Sequence, residues 1–346
     1  MPTSPPEAPP QKLSLAGARV LVTGAAGFIG SALCRSLQSR GAHVVGLDLE
    51  ETNAQRRGAD AGAPDLEFHV GDMSSQDLLA KALPGCAVVF NLAGMCGHLN
   101  SMEEPLADLH SNGVAQLSLL EGCRRWAKDA HVIFASTRQV YGRVLVLPVN
   151  ETHPLCPVDV NGIHKMAAEL LHLLYSRQHG LCTTILRLTN TYGPGMNIQR
   201  SGRSFLGEWL RLLLQNEALV VLGSGRQLRD LNFVDDVVDA FVRTAEAGRA
   251  VDRQIFNLGG RDPISLCELA KLLSELTDGC AQWRLEPFPA ALRSIDIGDY
   301  WGDYTKIQNA LGWEPGTTLH QGLVRLLAAT GITGPAAPSP AVSLCR

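Results

Sequence analysis

At 346 residues the chain is long enough to bury a large core and to form two domains. Hydrophobic residues at 45% against charged residues at 18% describe a packed globular chain rather than a disordered one, and a net charge of −4 without a basic cluster offers no surface for nucleic acid. The nine cysteines stand singly with no CxxC spacing, which argues for reduced thiols and against a disulfide framework or a zinc site.

Residues 1 to about 12 are proline-rich and polar and read as a disordered tail. They lack the apolar core of a signal peptide, and no run approaches membrane-spanning length, so the expectation is a cytoplasmic protein without a membrane partner. Ala18 to Leu37 then reads as strand, glycine turn and helix. Val20, Leu21 and Val22 make the short apolar run of a parallel-sheet strand, and Gly24, Gly27 and Gly30 follow at GxxGxxG spacing before a helix that begins near Phe28. Such glycines give a tight turn, close approach of backbone to a pyrophosphate, and close packing of helix on strand. The phosphate sits at the helix N-terminus, where free N–H groups and the helix dipole favour negative charge.

The next apolar run, HVVGLD, ends in Asp48, about twenty residues beyond the glycines, where an acid accepts hydrogen bonds from an adenosine ribose. A carboxylate there repels a 2′-phosphate and favours NAD over NADP; Arg56 and Arg57 downstream keep NADP open. Glu51 to Pro64 reads as a helix fragment and loop, and Leu66 to Val70 as a third strand ending at Gly71-Asp72. Asp72 is suited either to an adenine amino group or to capping the helix expected over Asp77 to Leu83. A fourth strand, Ala87 to Gly94, ends in small residues that admit a flat ring or a diphosphate. Helical periodicity over Glu103 to Trp126, a strand at His131 to Ala135, a helix over Val160 to Gln178 and a strand at Cys182 to Leu188 continue the alternation. This rhythm predicts an α/β fold, a Rossmann-type doubly wound parallel sheet with ligands at the carboxyl ends of its strands. From Asn190 the chain turns to loops, a strand-like run covers Ala218 to Leu222, and from about Gly334 a second disordered tail is expected.

Two further motifs carry chemistry. Ser136-Thr137-Arg138-Gln139-Val140-Tyr141-Gly142 follows a strand directly, and Asn161-Gly-Ile-His-Lys165 lies on the next helix. With the GxxGxxG turn, Asp48, Gly71-Asp72, Leu92-Ala-Gly94, Asn112, Arg187-Leu-Thr-Asn190, Arg229-Asp230 and the stretch from Arg293 to Lys306, they make residues 17 to 325 resemble the extended short-chain dehydrogenase/reductases. Within that family the likeness is to the NAD-dependent nucleotide-sugar epimerases and dehydratases.

The resemblance implies NAD as cofactor, a nucleotide-sugar substrate, and a smaller C-terminal substrate domain interleaved with the first. Its boundaries are 13–190 with 227–257 for the NAD-binding domain, and 191–226 with 258–333 for the substrate domain. The implied cofactor residues are Gly24, Gly27, Phe28, Ile29, Gly30, Asp48, Asp72, Met73, Leu92, Ala93, Gly94, Asn112 and Lys165. Ser101, Thr137, Asn190 and the diphosphate-clamping arginines Arg229 and Arg293 are implied on the substrate side, with surface salt bridges to Asp230 and Asp296 as the plainer role for the arginines. Thr137, Lys165, Asn161 and Tyr141 are the implied catalytic group, with no metal. Family members also commonly form homodimers through the helices corresponding here to Leu106–Trp126 and Val160–Gln178.

One position departs from the pattern. The family carries YxxxK on the long helix, where residues four apart share a face and the lysine ammonium lowers the phenol pKa. The tyrosinate takes the proton of a sugar hydroxyl while hydride leaves for NAD. Here that position is Asn161, an amide that does not ionise near neutral pH, and losing a general base costs roughly 10²–10⁴ in rate, about 3–5 kcal/mol of barrier. Three readings stay open: another base (Tyr141, Cys96, His98, His164, or a water held by Asn161 and Lys165), a lyase, dehydration or deprotonation chemistry without a tyrosinate, or cofactor binding with little turnover. The 4,6-dehydratases carry Asp-Glu after the threonine; Arg138 and Gln139 stand here, which ranks epimerase above 4,6-dehydratase.

Overall fold

The computed structural model describes residues 12–50, 66–198, 204–289, 292 and 295–332. The expected tails, the loop at Glu51–Pro64 with Arg56 and Arg57, and Arg293 lie outside the described residues. A seven-stranded, all-parallel sheet forms the centre. Its strands are β1 (Arg19–Thr23), β2 (His43–Asp48), β3 (Glu67–Val70), β4 (Val88–Asn91), β5 (His131–Thr137), β6 (Cys182–Leu188) and an edge strand, Ile255–Asn257. Across the sheet the order is edge strand, β6, β5, β4, β1, β2, β3, so the order in which strands are added reverses between β1 and β4 and opens a crevice there.

Alternation along the strands divides the core between two faces. Val20 and Val22 of β1 pack with Leu33 and Leu37 of helix α1 (Phe28–Ser39) and Phe241 of helix Val234–Ala247. Leu21 packs on the other face with Leu79, Leu119 and Leu120 of helices Gln76–Ala82 and Ala115–Trp126. Beyond the main sheet, short strand pairs bring Asn190–Tyr192 beside Leu231–Phe233, Leu228–Arg229 beside Ile264–Ser265, and Leu219–Leu222 beside Trp283–Glu286. Among the described residues no helix is long and apolar enough to cross a membrane.

Two local readings need correction. The helix expected over Glu103 to Trp126 is interrupted: short helices His98–Glu103 and Pro105–Leu109 lead into a π-turn, His110–Val114, before the regular helix Ala115–Trp126. Such wide turns gather at functional sites, and this one carries Asn112. The cap of helix Gln76–Ala82 is Ser75, whose hydroxyl accepts from the Leu78 N–H; Asp72 instead accepts from Ser74 N at 2.7 Å and from His110 Nε2 at 3.0 Å.

Candidate active site

A cavity of about 1360 Å³ runs along the carboxyl ends of β1, β2, β4 and β5 and on to the Leu228–Arg229 strand. It exceeds the roughly 300–1,000 Å³ usual for one small ligand and has room for two. At one end stands the glycine turn. Gly24 adopts φ +70°, and a β-carbon on it would stand 3.0 Å from the Ala93 nitrogen. Gly30 is tighter: a β-carbon there would lie 2.0 Å from the Gly24 carbonyl oxygen, so α1 seats on the turn only because the side chain is missing.

Thr23 Oγ1 accepts from the N–H groups of Leu92 and Ala93, both at 3.1 Å, and pins the loop after β4 beside this turn. Asp48 ends β2 with one oxygen taking the Ala26 N–H at 2.9 Å and the other the Leu49 N–H at 2.7 Å, while its carboxylate lines the cavity. Partial burial raises its pKa above the ordinary value, opposed by those two N–H groups. Phe28, Ile29, Asp72, Met73, Leu92, Ala93 and Gly94 line the same end.

Asn112 is wholly buried; its Nδ2 donates to the Met95 carbonyl at 3.0 Å, and its Oδ1 has no hydrogen-bond partner. A β-carbon on Gly94 would lie 2.4 Å from that oxygen and 3.1 Å from Lys165 Nζ. Backbone, orphaned acceptor and ammonium therefore converge on one side-chain-free spot. Lys165 donates to the Ala135 carbonyl at 3.0 Å and lies over the Phe134 ring. Burial brings its pKa down to about 8, opposed by Cys96, Asp108 and Glu169.

Asn161 also reaches the cavity, but both its amide hydrogens are spent: Nδ2 donates to Met95 O at 2.9 Å and to Asp108 Oδ2 at 3.0 Å. Asp108 is itself buried and takes His164 Nδ1 at 2.7 Å on its other oxygen. His164 does not line the cavity. Cys96 does, beside His98.

Tyr141 and Ser101 are displaced from the roles the sequence suggested. The Tyr141 phenol is buried off the cavity, donating to Asn257 Oδ1 at 2.6 Å and accepting from Arg187 Nη1 at 2.8 Å, and burial raises its pKa. A phenol so held is poorly placed to take a substrate proton. Ser101 is equally buried, its hydroxyl donating to the His98 carbonyl at 2.9 Å within its own helix turn.

Thr137 closes β5 in the cavity wall and accepts from Gln139 N at 3.3 Å, which starts the tight turn Arg138–Tyr141. Arg229 lines the far end. It donates to Gly298 O at 2.5 Å and Leu228 O at 2.9 Å and meets Asp296 at 3.3 Å, a buried arginine paired with a half-buried carboxylate. Burial lowers its pKa to about 10, and the neighbouring Arg138 cation adds to the shift.

Arg138 holds a place in the site that the sequence alone did not assign to it. It is 92% buried (8% exposed), lies over the Tyr300 ring and donates through Nη2 to Asn190 Oδ1 at 3.3 Å. Its Nη1 is buried without a partner. Only its place after Thr137 at a strand end marked it.

Comparison with known proteins decides the family. A model of the NAD dependent epimerase/dehydratase family matches residues 20–259. The chain belongs to that family. It is 32% identical over 311 residues to a UDP-glucose 4-epimerase of Mycolicibacterium smegmatis, covering 89% of this chain and 96% of the relative. It is also 32% identical over 323 residues to UDP-glucuronic acid decarboxylase 2 of Arabidopsis thaliana, covering 91% of this chain and 68% of that protein. Among solved structures, a UDP-glucose 4-epimerase from Thermotoga maritima with UDP-glucose superposes with a TM-score of 0.79 at 29% identity, over 90% of this chain and 98% of that one. MoeE5 in complex with UDP-glucuronic acid and NAD gives 0.80 at 30% identity, over 91% and 99%.

The family's cofactor fits the residues present. The glycine turn leaves the backbone bare for a pyrophosphate, Asp48 offers a carboxylate to a ribose, and the unpartnered Asn112 oxygen with Lys165 supplies an acceptor and a cation at the other end.

Proposed function

We propose that the chain is an NAD-dependent epimerase of a nucleoside-diphosphate sugar, working by transient oxidation of a sugar carbinol. NAD supplies the hydride acceptor. The observation that carries this reading is the continuous cavity, with the glycine turn at one end, Arg229 at the other, and Thr137 and Lys165 between them. Gly24, Gly27, Gly30 and Asp48 would hold the adenosine and pyrophosphate half, and Asn112 and Lys165 the nicotinamide half. Thr137 would bond the reacting hydroxyl, while Asn190, Arg229 and Arg293 would orient the sugar diphosphate. In this reading residues 13–190 and 227–257 carry the cofactor, and 191–226 and 258–333 the substrate. The test is a panel of nucleotide sugars with NAD, with product stereochemistry followed by NMR; inversion at one carbon supports the reading, and no product from any member contradicts it.

A second reading, lyase chemistry on a nucleotide-linked uronic acid, is favoured by Arg138. A buried guanidinium with an unpartnered Nη1 beside the sugar end of the cavity calls for an anion, and UDP-glucuronic acid decarboxylases are among the relatives. Arg138→Gln is expected to weaken binding of a nucleotide uronate by about 10–100-fold, the worth of a charged hydrogen bond, and that of the neutral sugar far less. Equal losses in calorimetric titrations with both would remove this reading.

The proposal includes a homodimer in the cytoplasm. Leu106 is 80% exposed, and Leu109, Val114 and Leu117 along the interrupted helical run Pro105–Trp126 and Ile163, Leu170 and Leu174 on helix Val160–His179 are exposed with it. The double substitution Leu106→Asp, Leu170→Asp is expected to convert dimer to monomer by light scattering; an unchanged mass would place the interface elsewhere. Eight cysteines are free among the described residues, the state a reducing compartment keeps.

A further inference from the structure

With the family tyrosine exchanged for an amide and Tyr141 buried elsewhere, the proton of the reacting hydroxyl needs another acceptor. His98 begins a helix at the end of the loop that follows β4, and its side chain, 31% exposed, lines the cavity. Its Nδ1 stands 2.6 Å from Asp159 Oδ2. The Asp159 side chain is fully buried, and its other oxygen accepts the Gly162 N–H at 2.7 Å as the cap of helix Val160–His179. The helix that carries Asn161 and Lys165 thus also fixes the carboxylate behind His98.

A carboxylate accepts and does not donate, so the ring nitrogen facing it carries the hydrogen, and in the neutral ring Nε2 is then the nitrogen with the lone pair. No hydrogen bond to Nε2 is present among the described residues. A histidine oriented this way by a buried acid is the base-and-orienter arrangement of nucleophilic hydrolases, here without a nucleophile beside it. The second buried pair, His164 with Asp108, lacks the opening, because His164 does not line the cavity.

We propose that His98 is the general base that replaces the family tyrosine, and that Asp159 is its positioning residue. The inference rests on the reading of the cavity as an NAD and nucleotide-sugar site. The step balances: the sugar O–H bond breaks and an Nε2–H bond forms. The electron pair left on oxygen closes the carbonyl, and the hydrogen on the same carbon leaves with its pair to bound NAD. On the return step His98 gives the proton back.

The experiment uses the full-length protein, His98→Gln and Asp159→Asn. Asparagine retains an oxygen for the Gly162 N–H, so the cap survives, but its NH₂ faces Nδ1 and turns the ring to the Nε2–H form. Both variants are expected to bind NAD and UDP-glucose or UDP-glucuronic acid within about threefold of wild type, whereas kcat falls by roughly 10²–10⁴. Nitrogen-15 NMR gives a readout independent of turnover. His98 is expected as the Nδ1–H tautomer in wild type and the Nε2–H tautomer in Asp159→Asn, and the wild-type Nε2 signal is expected to move when the nucleotide sugar replaces UDP alone. An Nε2–H tautomer in wild type, an Nε2 signal indifferent to the sugar, or near-normal turnover by His98→Gln overturns the inference while leaving the function reading in place. Failure of wild type to bind any nucleotide sugar overturns the function reading and this inference with it.

Discussion

Gly30→Ala is expected to lose stability by about 3 kcal/mol, from the overpacking of a site that cannot give, and to weaken NAD binding at least about hundredfold by displacing backbone that approaches the pyrophosphate. The added carbon would stand 2.0 Å from the Gly24 carbonyl oxygen and 2.8 Å from its carbon, both backbone atoms. Relief requires α1 to lift from the turn, which carries Gly24 away from Ala93 and opens the cavity's cofactor end. Gly331→Ala is the control: it caps the last helix at φ +73° with nothing within 4 Å of the added carbon, so it pays only the backbone cost of about 1 kcal/mol. Denaturant unfolding and NAD titration of both variants check the expectation. Equal NAD affinity in the two would show that the turn does not hold the cofactor.

Lys165→Met is expected to move stability and activity in opposite directions. Burial holds the Lys165 pKa at about 8 in the folded protein, below its ordinary 10.5. Between those values the unfolded chain binds more protons than the folded one, so this residue makes stability rise with pH across that window. Below about pH 8 the cost of burying the ammonium is present in full. Methionine removes it, while the Ala135 carbonyl loses its donor; the net gain at pH 7 is about 1 kcal/mol. The rise between pH 8 and 10.5 is expected to flatten in chemical denaturation, and turnover to fall by more than about 10². A variant less stable at pH 7, or one still active, would mean that the ammonium is not held for chemistry.

Much of the fold is written locally. The GxxGxxG spacing, the apolar strand runs and the β2 boundary at Asp48 each follow from residues close together in sequence, and the structure places them where the spacing put them. The parts that escaped are non-local. The partners that remove Tyr141 from the chemistry, Arg187 and Asn257, lie 46 and 116 residues away, and the acid that orients His98 lies 61 residues away. Local pattern gives no sign of such pairings. The π-turn at His110–Val114 was hidden for a different reason: one extra residue in a turn leaves the apolar periodicity on either side nearly intact. Ser101 was misplaced because a serine within a short helix bonds its own backbone as readily as a ligand.

The most direct measurement of the central claim is a single-turnover experiment with NAD-loaded protein and a nucleotide sugar deuterated at the carbon that inverts. If the cavity oxidises and re-reduces that carbon, reduced nicotinamide absorbance rises and decays at the rate of product formation, slowed by the deuterium, and the product keeps the label. Product that has exchanged its deuterium for solvent hydrogen, with no absorbance transient, would contradict the account.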